Sequence, residues 1–408
     1  MAQSRREFLK STVGVPALLS LAGAAPVLLT RAARAAAAED RRNTVLVVVQ
    51  LSGGNDGLNT MAPYADDNYG RSRRTLRLRG RDVLKVDDYV GFHPKMQGFA
   101  RLLKEGRLSV VRGTGYPMSD RSHEGAMRNW HTARPLDPQC PTGWVGRAVD
   151  SAARGNEARV PGIFVGPIGR PFALTAAKAV VPSIRSAGEL TLLQGGGSTA
   201  GARGEGDANP LADHVRQARR GARATSRQIK AVLDGAPGTH RYPRQLLAGH
   251  LKTVAELIRA DVGIRIFFTE LGGGGIGGFD NHAAQRDNHA ALLKQLSDSV
   301  AAFAADLARH KSLDRVALVT FSEFGRTLTE NGRRGTGHGA AAPMFLMGGR
   351  LRAGLIGKHP SLADLDKDAP RFHTDFRRVY AAVLEQWLGF DSEAALGAKF
   401  KPLDLFLA

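Results

Sequence analysis

Cysteine is nearly absent. Cys140 is the only one in 408 residues, so no intrachain disulfide can form and the fold must be held by its core. The same scarcity excludes a CxxC metal knuckle or redox pair, and no HExxH segment is present. A lone cysteine beside Pro141 reads as structural. Acidic residues are also few, 38 against 57 lysines and arginines, which leaves a formal net charge of +19. Much of the excess sits in RSRRTLRLRGR (71–81) and RQARRGARATSRQIK (216–230). Both runs lack aromatic residues, and without stacking platforms a basic patch holds bases poorly. They read as solvated arginine-rich faces, with nucleic-acid binding ranked below that. Beyond residue 40 no apolar run is long enough to span a bilayer.

What is there begins at the N-terminus. SRREFLK (4–10) pairs Arg5 with Arg6, the apolar run VGVPALLSLAGAAPVLL follows, and TRAARAAAAED supplies small residues. This order is that of a secretory signal of the twin-arginine type, with cleavage expected near Ala36 to Ala38. Two glycines and two prolines interrupt the apolar run, which argues against an uncleaved anchor. The expected organisation is a signal peptide over 1–38 and a single α/β domain over 39–408. The expected export partner is the twin-arginine translocase, the location periplasmic or secreted, with no stable membrane span after cleavage.

Five short apolar runs have strand length: TVLVVVQL (44–51), LSVVRG (108–113), GIRIFF (263–268), VALVTF (316–321) and the weaker MFLMGG (344–349). Runs without alternation suit strands buried on both faces. Helical spacing recurs over 246–260 and, more strongly, over 289–310 through Leu292, Leu296, Val300, Phe303 and Leu307. Strands alternating with helices predict a doubly wound, mainly parallel sheet with helices on both faces. The stretch 193–210 has loop composition, so a loop-rich and helical middle section is expected around 193–260.

Polar residues collect where the strands end. Asp56 follows the first strand, Ser122 and His123 the second, Asp280 and His282 the third, and Glu323 and Arg326 the fourth, while His338 precedes the last. In open α/β sheets ligands bind beyond the carboxyl ends of the strands. Carboxylates mixed with imidazoles form the donor set of a zinc, manganese or other divalent site of one or two ions. Each residue also has a plainer role. Asp56 sits in a turn sequence and could cap a helix. Asp280 could cap a helix starting near Asn281, on which His282 and His289 would share a face. His289, two turns on, reads as a surface or packing histidine. Glu323, directly after an apolar strand, would be half buried unless paired, which favours function.

The segments LVVVQLSGGNDGLNTMAPY, RLSVVRGTGYPMSDRSH, GGFDNHAAQ, LVTFSEFGR, GTGHG and TDFRRVYAAVLEQWLG together resemble the bacterial exported family known as domain of unknown function 1501. That family is placed in the alkaline phosphatase-like superfamily, and the resemblance covers essentially all of 39–408. It implies a two-metal site at the carboxyl edge of the sheet, with Asp56, Asp280, His282, Glu323 and His338 as ligands. Where the family usually reads Asp-Thr-His this chain has Asp280-Asn281-His282. Gly337 stands where an Asp usually precedes the late histidine, and GAAAPM follows where a further histidine is usual. Counting back from Trp130-His131-Thr132-Ala133, where superfamily phosphatases read Trp-x-Thr-Gly, places the nucleophile at His123 with Ser122 adjacent.

Two functions are therefore expected as alternatives. One is an exported metal-dependent hydrolase of phosphate or sulfate esters, acting on an anionic small molecule or polymer. Ser122 or His123 would attack, and Arg326 or Arg121 would hold the anion. The other is a non-catalytic envelope protein that binds a glycan, an anionic polymer or a protein partner.

Overall fold

The run VLVVVQL forms strand β1 (Val45–Leu51), and the way it is buried organises the molecule. Val45, Val47, Val49 and Leu51 enter one core cluster, Leu46 and Val48 another. Successive side chains of a strand point to opposite faces, so an unbroken apolar run marks a strand covered on both sides. The computed structural model describes residues 43–152, 162–167, 169–179, 181–184, 229–235, 240–272 and 278–407. The expected signal peptide over 1–38 lies outside these residues, as do 193–228 of the expected middle section and 273–277 of the glycine-rich stretch.

In chain order the elements that matter are α1 (Gly57–Thr60), α2 (Asp67–Ser72), α3 (Gln97–Lys104), β2 (Leu108–Gly115), α4 (His123–Thr132), α5 (Trp144–Ala152), β3 (Gly162–Val165), β4 (Ser183–Ile184) and α6 (Leu246–Arg259). They continue with β5 (Ile266–Leu271), α7 (Gln285–Arg309), β6 (Val316–Phe321), β7 (Arg326–Glu330), β8 (Thr336–His338), β9 (Ala342–Gly348), β10 (Gly354–Ile356), β11 (Thr374–Asp375) and α8 (Phe376–Ala382). Among the described residues nine strands form the main sheet in the order β10-β2-β9-β6-β1-β5-β3-β4, with β11 also paired to β2. All pairings are parallel except those of β9 with β2 and β6. Phe99 of α3, Leu251 of α6 and Leu296 of α7 pack on one face; Trp130 of α4, Trp144 of α5 and Tyr380 of α8 pack on the other. The fold is thus the doubly wound, mainly parallel α/β class that the sequence predicts.

Two departures bear on the site. β5 begins at Ile266, later than the apolar run, and continues through polar Thr269 and Glu270, because these pair in register with Val49 and Gln50 of β1. The helix expected near Asn281 begins only at Gln285, after Ala284 in the left-handed region. Asp280 is therefore no cap, and His282 lies in the bend ahead of the helix rather than on a face shared with His289. His289 is buried among Phe279 and His93, with Nε2 3.0 Å from Asn55 Oδ1, so it packs inside the fold.

Candidate metal centre

Four segments converge beyond the carboxyl ends of β1, β2, β5 and β6, and a fifth arrives because β9 runs backwards. The reversal puts the amino end of β9, and the β7–β8 hairpin before it, at the carboxyl edge of the parallel strands. Asn331 shapes that hairpin: its Oδ1 accepts from Arg333 N–H (2.9 Å) and Gly335 N–H (3.1 Å). The turn docks on the loop after β5. Asn331 Nδ2 donates to His282 O (3.0 Å), and Thr336 N–H donates to Asn281 O (3.1 Å). A side chain on Gly335 would collide with the His282 backbone, so this approach requires glycine. Gly53 does the same on the other flank. Its φ is 113°, and a Cβ there would lie 2.5 Å from Asp280 N.

This docking gathers His123, Asp280, His282 and His338, one ligand atom from each lying within 4.8 Å of all the others. His282 Nε2 is 3.0 Å from Asp280 Oδ1 and 2.9 Å from His338 Nε2. His338 Nε2 is 3.2 Å from Asp280 Oδ1, and His123 Nε2 is 3.3 Å from Asp280 Oδ2. Neighbouring donors around tetrahedral zinc stand about 3.3 Å apart, from bonds of about 2.0–2.1 Å.

Hydrogen bonds on the far side of two rings fix their tautomers. His338 Nδ1 is 2.6 Å from the Arg121 carbonyl, which can only accept, so Nδ1 carries the proton and the Nε2 lone pair of the neutral ring faces inward. His123 Nδ1 lies 3.1 Å from Glu323 Oε1, the carboxylate–histidine arrangement that orients a metal ligand. Inward lone pairs on neighbouring rings repel each other unless a proton or cation lies between them. The donor set thus fits a divalent cation.

The charges agree. Burial pushes the Asp280 carboxyl up, but the Arg326 bond and charge, with His282 and His338, outweigh it and hold it below the ordinary range. Burial holds His338 down against its bond to Arg121. The Glu323 bond raises His123 despite partial burial.

The remaining expected residues are placed otherwise. Asp56 does not join the cluster. It is buried, accepts from Arg73 Nη2 (2.9 Å) and Nη1 (2.5 Å), and also accepts from Gln285 Nε2. Burial raises its pKa, yet Arg73 reverses the sign and the net shift is downward. Glu323 is not among the four either. Its Oε1 also accepts from Gly53 N–H (2.7 Å) and Oε2 from the Ser322 hydroxyl (3.2 Å), so it positions His123 and the β1 loop.

Arg326 was expected to hold a substrate anion, but its side chain is 0% exposed and fully engaged. Nε donates to Gly54 O (2.7 Å), Nη1 to Thr336 O (3.2 Å), and Nη2 to Phe279 O (2.9 Å), Asp280 Oδ1 (2.7 Å) and Gly53 O. It clasps the loops after β1 and β5 to the start of β8. Ser122 is the N-cap of α4: Oγ accepts from Gly125 N–H (3.2 Å) and donates to Asp120 Oδ1 (2.8 Å). His123, weighed as a nucleophile, has both ring nitrogens engaged, by Asp280 and Glu323, and stands in the cluster with Asp280, His282 and His338.

Sequence reasoning missed Arg73. Nothing marks it within RSRRTLRLRGR, yet it alone of that run is a buried arginine. Gln285 and Thr336 were missed too. They lock to each other (2.7 Å) behind the site, and neither carries a motif signal.

Comparison with known proteins gives distant likenesses in fold. The C-terminal periplasmic domain of EptC from Escherichia coli, in complex with Zn, is 11% identical, with 75% of this chain and 73% of that one covered and a TM-score of 0.34. Ps i-CgsB in complex with k-i-k-neocarrahexaose is 11% identical over 88% and 72%, TM-score 0.39. Alkaline phosphatase from the Antarctic bacterium TAB5 is 13% identical over 75% and 91%, TM-score 0.29. No ligand and no reaction passes from them to this chain. No curated relative matches it. The family model described as "Protein of unknown function (DUF1501)" matches residues 43–398, and the chain belongs to that family.

Proposed function

We propose that the protein is an exported, metal-dependent hydrolase of phosphate or sulfate esters. The observation that carries the reading is the inward-facing quartet His123, Asp280, His282 and His338, with two ring tautomers set from behind. These four would hold one divalent ion, zinc or manganese by donor type. When bound, such an ion polarises an ester oxygen and stabilises the negative charge that develops on it. Glu323 keeps the His123 proton on Nδ1. Asp280 is held ionised by Arg326.

Of the two expected nucleophiles Ser122 remains. Its hydroxyl already donates to Asp120 Oδ1 at 2.8 Å, which provides a carboxylate to take the proton. Arg121 replaces Arg326 as the side chain to meet an anion. Among the described residues only its Nη2 is engaged, by Asp366 O (2.9 Å) and Oδ2 (2.7 Å). The paired arginines at the N-terminus support twin-arginine export and a periplasmic or secreted location.

One observation favours the alternative, a non-catalytic envelope protein that binds a glycan, an anionic polymer or a protein partner. Arg73 already neutralises Asp56, which supports one ion rather than two. The deciding experiment is metal analysis of folded, exported protein, followed by assay on aryl phosphate, phosphodiester and sulfate esters. We expect about one divalent ion per chain and turnover that chelation removes reversibly. Metal-loaded protein inert on all three esters would transfer the reading to the binding protein.

A further inference from the structure

A cleft of about 540 Å³ opens between the loop over residues 74–82, the Pro94–Lys95 turn and the first turn of α7. Six basic side chains line it, Arg74, Arg77, Arg79, Arg81, Lys95 and Arg286, against the two acids Asp82 and Asp287. Burial lowers the two lining histidines, His93 to about 4 and His289 to about 3, so they are neutral and the formal charge of the lining is +4. Arg74, Arg79 and Lys95 have no side-chain partner among the described residues, and the Arg81–Asp82 pair is long at 3.7 Å and exposed.

The loop that presents the arginines is anchored. Leu76 is buried and Leu78 half-buried, while Arg77 and Arg79 between and beyond them point out. Glu330 accepts from Thr75 N–H (3.0 Å) and Leu76 N–H (2.8 Å), Tyr69 Oη accepts from Leu78 N–H (2.9 Å), and Asn59 Nδ2 donates to Leu76 O (2.8 Å). Like charges fixed close together without counterparts repel, and an anion bound among them relieves that repulsion. No Phe, Tyr or Trp lines the cleft and its two histidines are buried, so neither base nor sugar stacking is on offer.

We propose that this cleft, separate from the metal centre, binds a flexible polyanion carrying phosphate or sulfate groups. The fork of each arginine matches an oxyanion in two places, and a preorganised loop loses little freedom on binding. The proposal does not depend on the hydrolase reading.

The test uses the full exported chain with inorganic polyphosphate, dextran sulfate and orthophosphate as probes, read by titration calorimetry at two salt concentrations. Either polymer should bind, with affinity falling as salt rises. Arg74→Glu with Arg79→Glu, which brings the lining charge to zero, should weaken polymer binding by roughly tenfold or more and flatten the salt dependence. Asp280→Ala should bind the polymers as wild type does. Melting curves check folding, and the milder Arg74→Gln with Arg79→Gln serves if the reversal unfolds. Unchanged polymer affinity in the arginine variants would overturn the proposal. So would orthophosphate competing equally per phosphate, or polymer binding lost in Asp280→Ala, which would put the anion at the metal centre.

Discussion

Asp56 and Asp280 both follow strands at the carboxyl edge of the sheet, and the structure treats them in opposite ways. Asp56 is sealed in and matched by the Arg73 fork. Asp280 is 40% exposed and turned toward three imidazoles, with Arg326 bracing it from behind. Both carboxyls are held below their ordinary range, each by an arginine that overcomes burial. The difference lies in what remains unsatisfied. Arg73 and Gln285 engage both oxygens of Asp56, which leaves a strut. Asp280 faces donors that carry lone pairs of their own, which leaves a place for a cation. A third carboxylate has neither solution. Glu270 is 3% exposed with no hydrogen-bond partner for either oxygen among the described residues, and burial pushes it up to about 7, the nearby Ser52 hydroxyl offsetting little.

If Asp56 is a strut, breaking it should cost most. Arg73→Met leaves a carboxylate buried and unpaired, and denaturant unfolding should show a loss of about 3–5 kcal/mol. Adding Asp56→Leu should recover much of it. Wild-type stability in the single variant would show that Asp56 is not locked.

Glu270 sharpens the comparison through pH. Its folded pKa lies above the unfolded value, so the native state holds the proton more firmly. Stability should therefore fall as pH rises from about 4.5 to about 7, by at most about 3 kcal/mol. Glu270→Gln should flatten that slope when unfolding midpoints at about pH 5 and about pH 8 are compared. An equally steep slope in the variant would assign the dependence to another group.

Asp280→Ala removes a carboxylate bonded to buried Arg326, so metal-free stability should fall as well, and metal-dependent stabilisation should be abolished. With free ion at about 100 times its Kd, wild type should gain about 2.7 kcal/mol and the variant nothing. Thermal melts with and without chelator measure this, and an equal gain in both proteins would remove Asp280 from the site.

The smallest effect is expected at Glu323, which acts through His123. Glu323→Gln should weaken metal affinity by roughly tenfold and move the inflection of affinity against pH downward, because His123 loses the partner that raises it. A change in stability without any change in that pH profile would make Glu323 purely structural.

The strand runs, the order of elements and the crowding of acids and imidazoles after strands were all readable in the chain. Each follows from local pattern: apolar runs of strand length, helical spacing, and polar residues where a buried strand must end. Asp280, His282 and His338 were legible as a group for that reason. Which candidates share a centre was not legible, because the three stretches that meet there, at His123, at Asp280 with His282, and at His338, lie 56 to 215 positions apart. His123 lay among the expected nucleophiles, and only the Glu323 bond and the approach of Asp280 place it in the cluster that could hold a cation. Arg73 is indistinguishable from its neighbours in composition. It goes inside because Asp56, Asn59 and the Leu328 and Thr327 carbonyls together satisfy its guanidinium, and no single segment contains all of those partners.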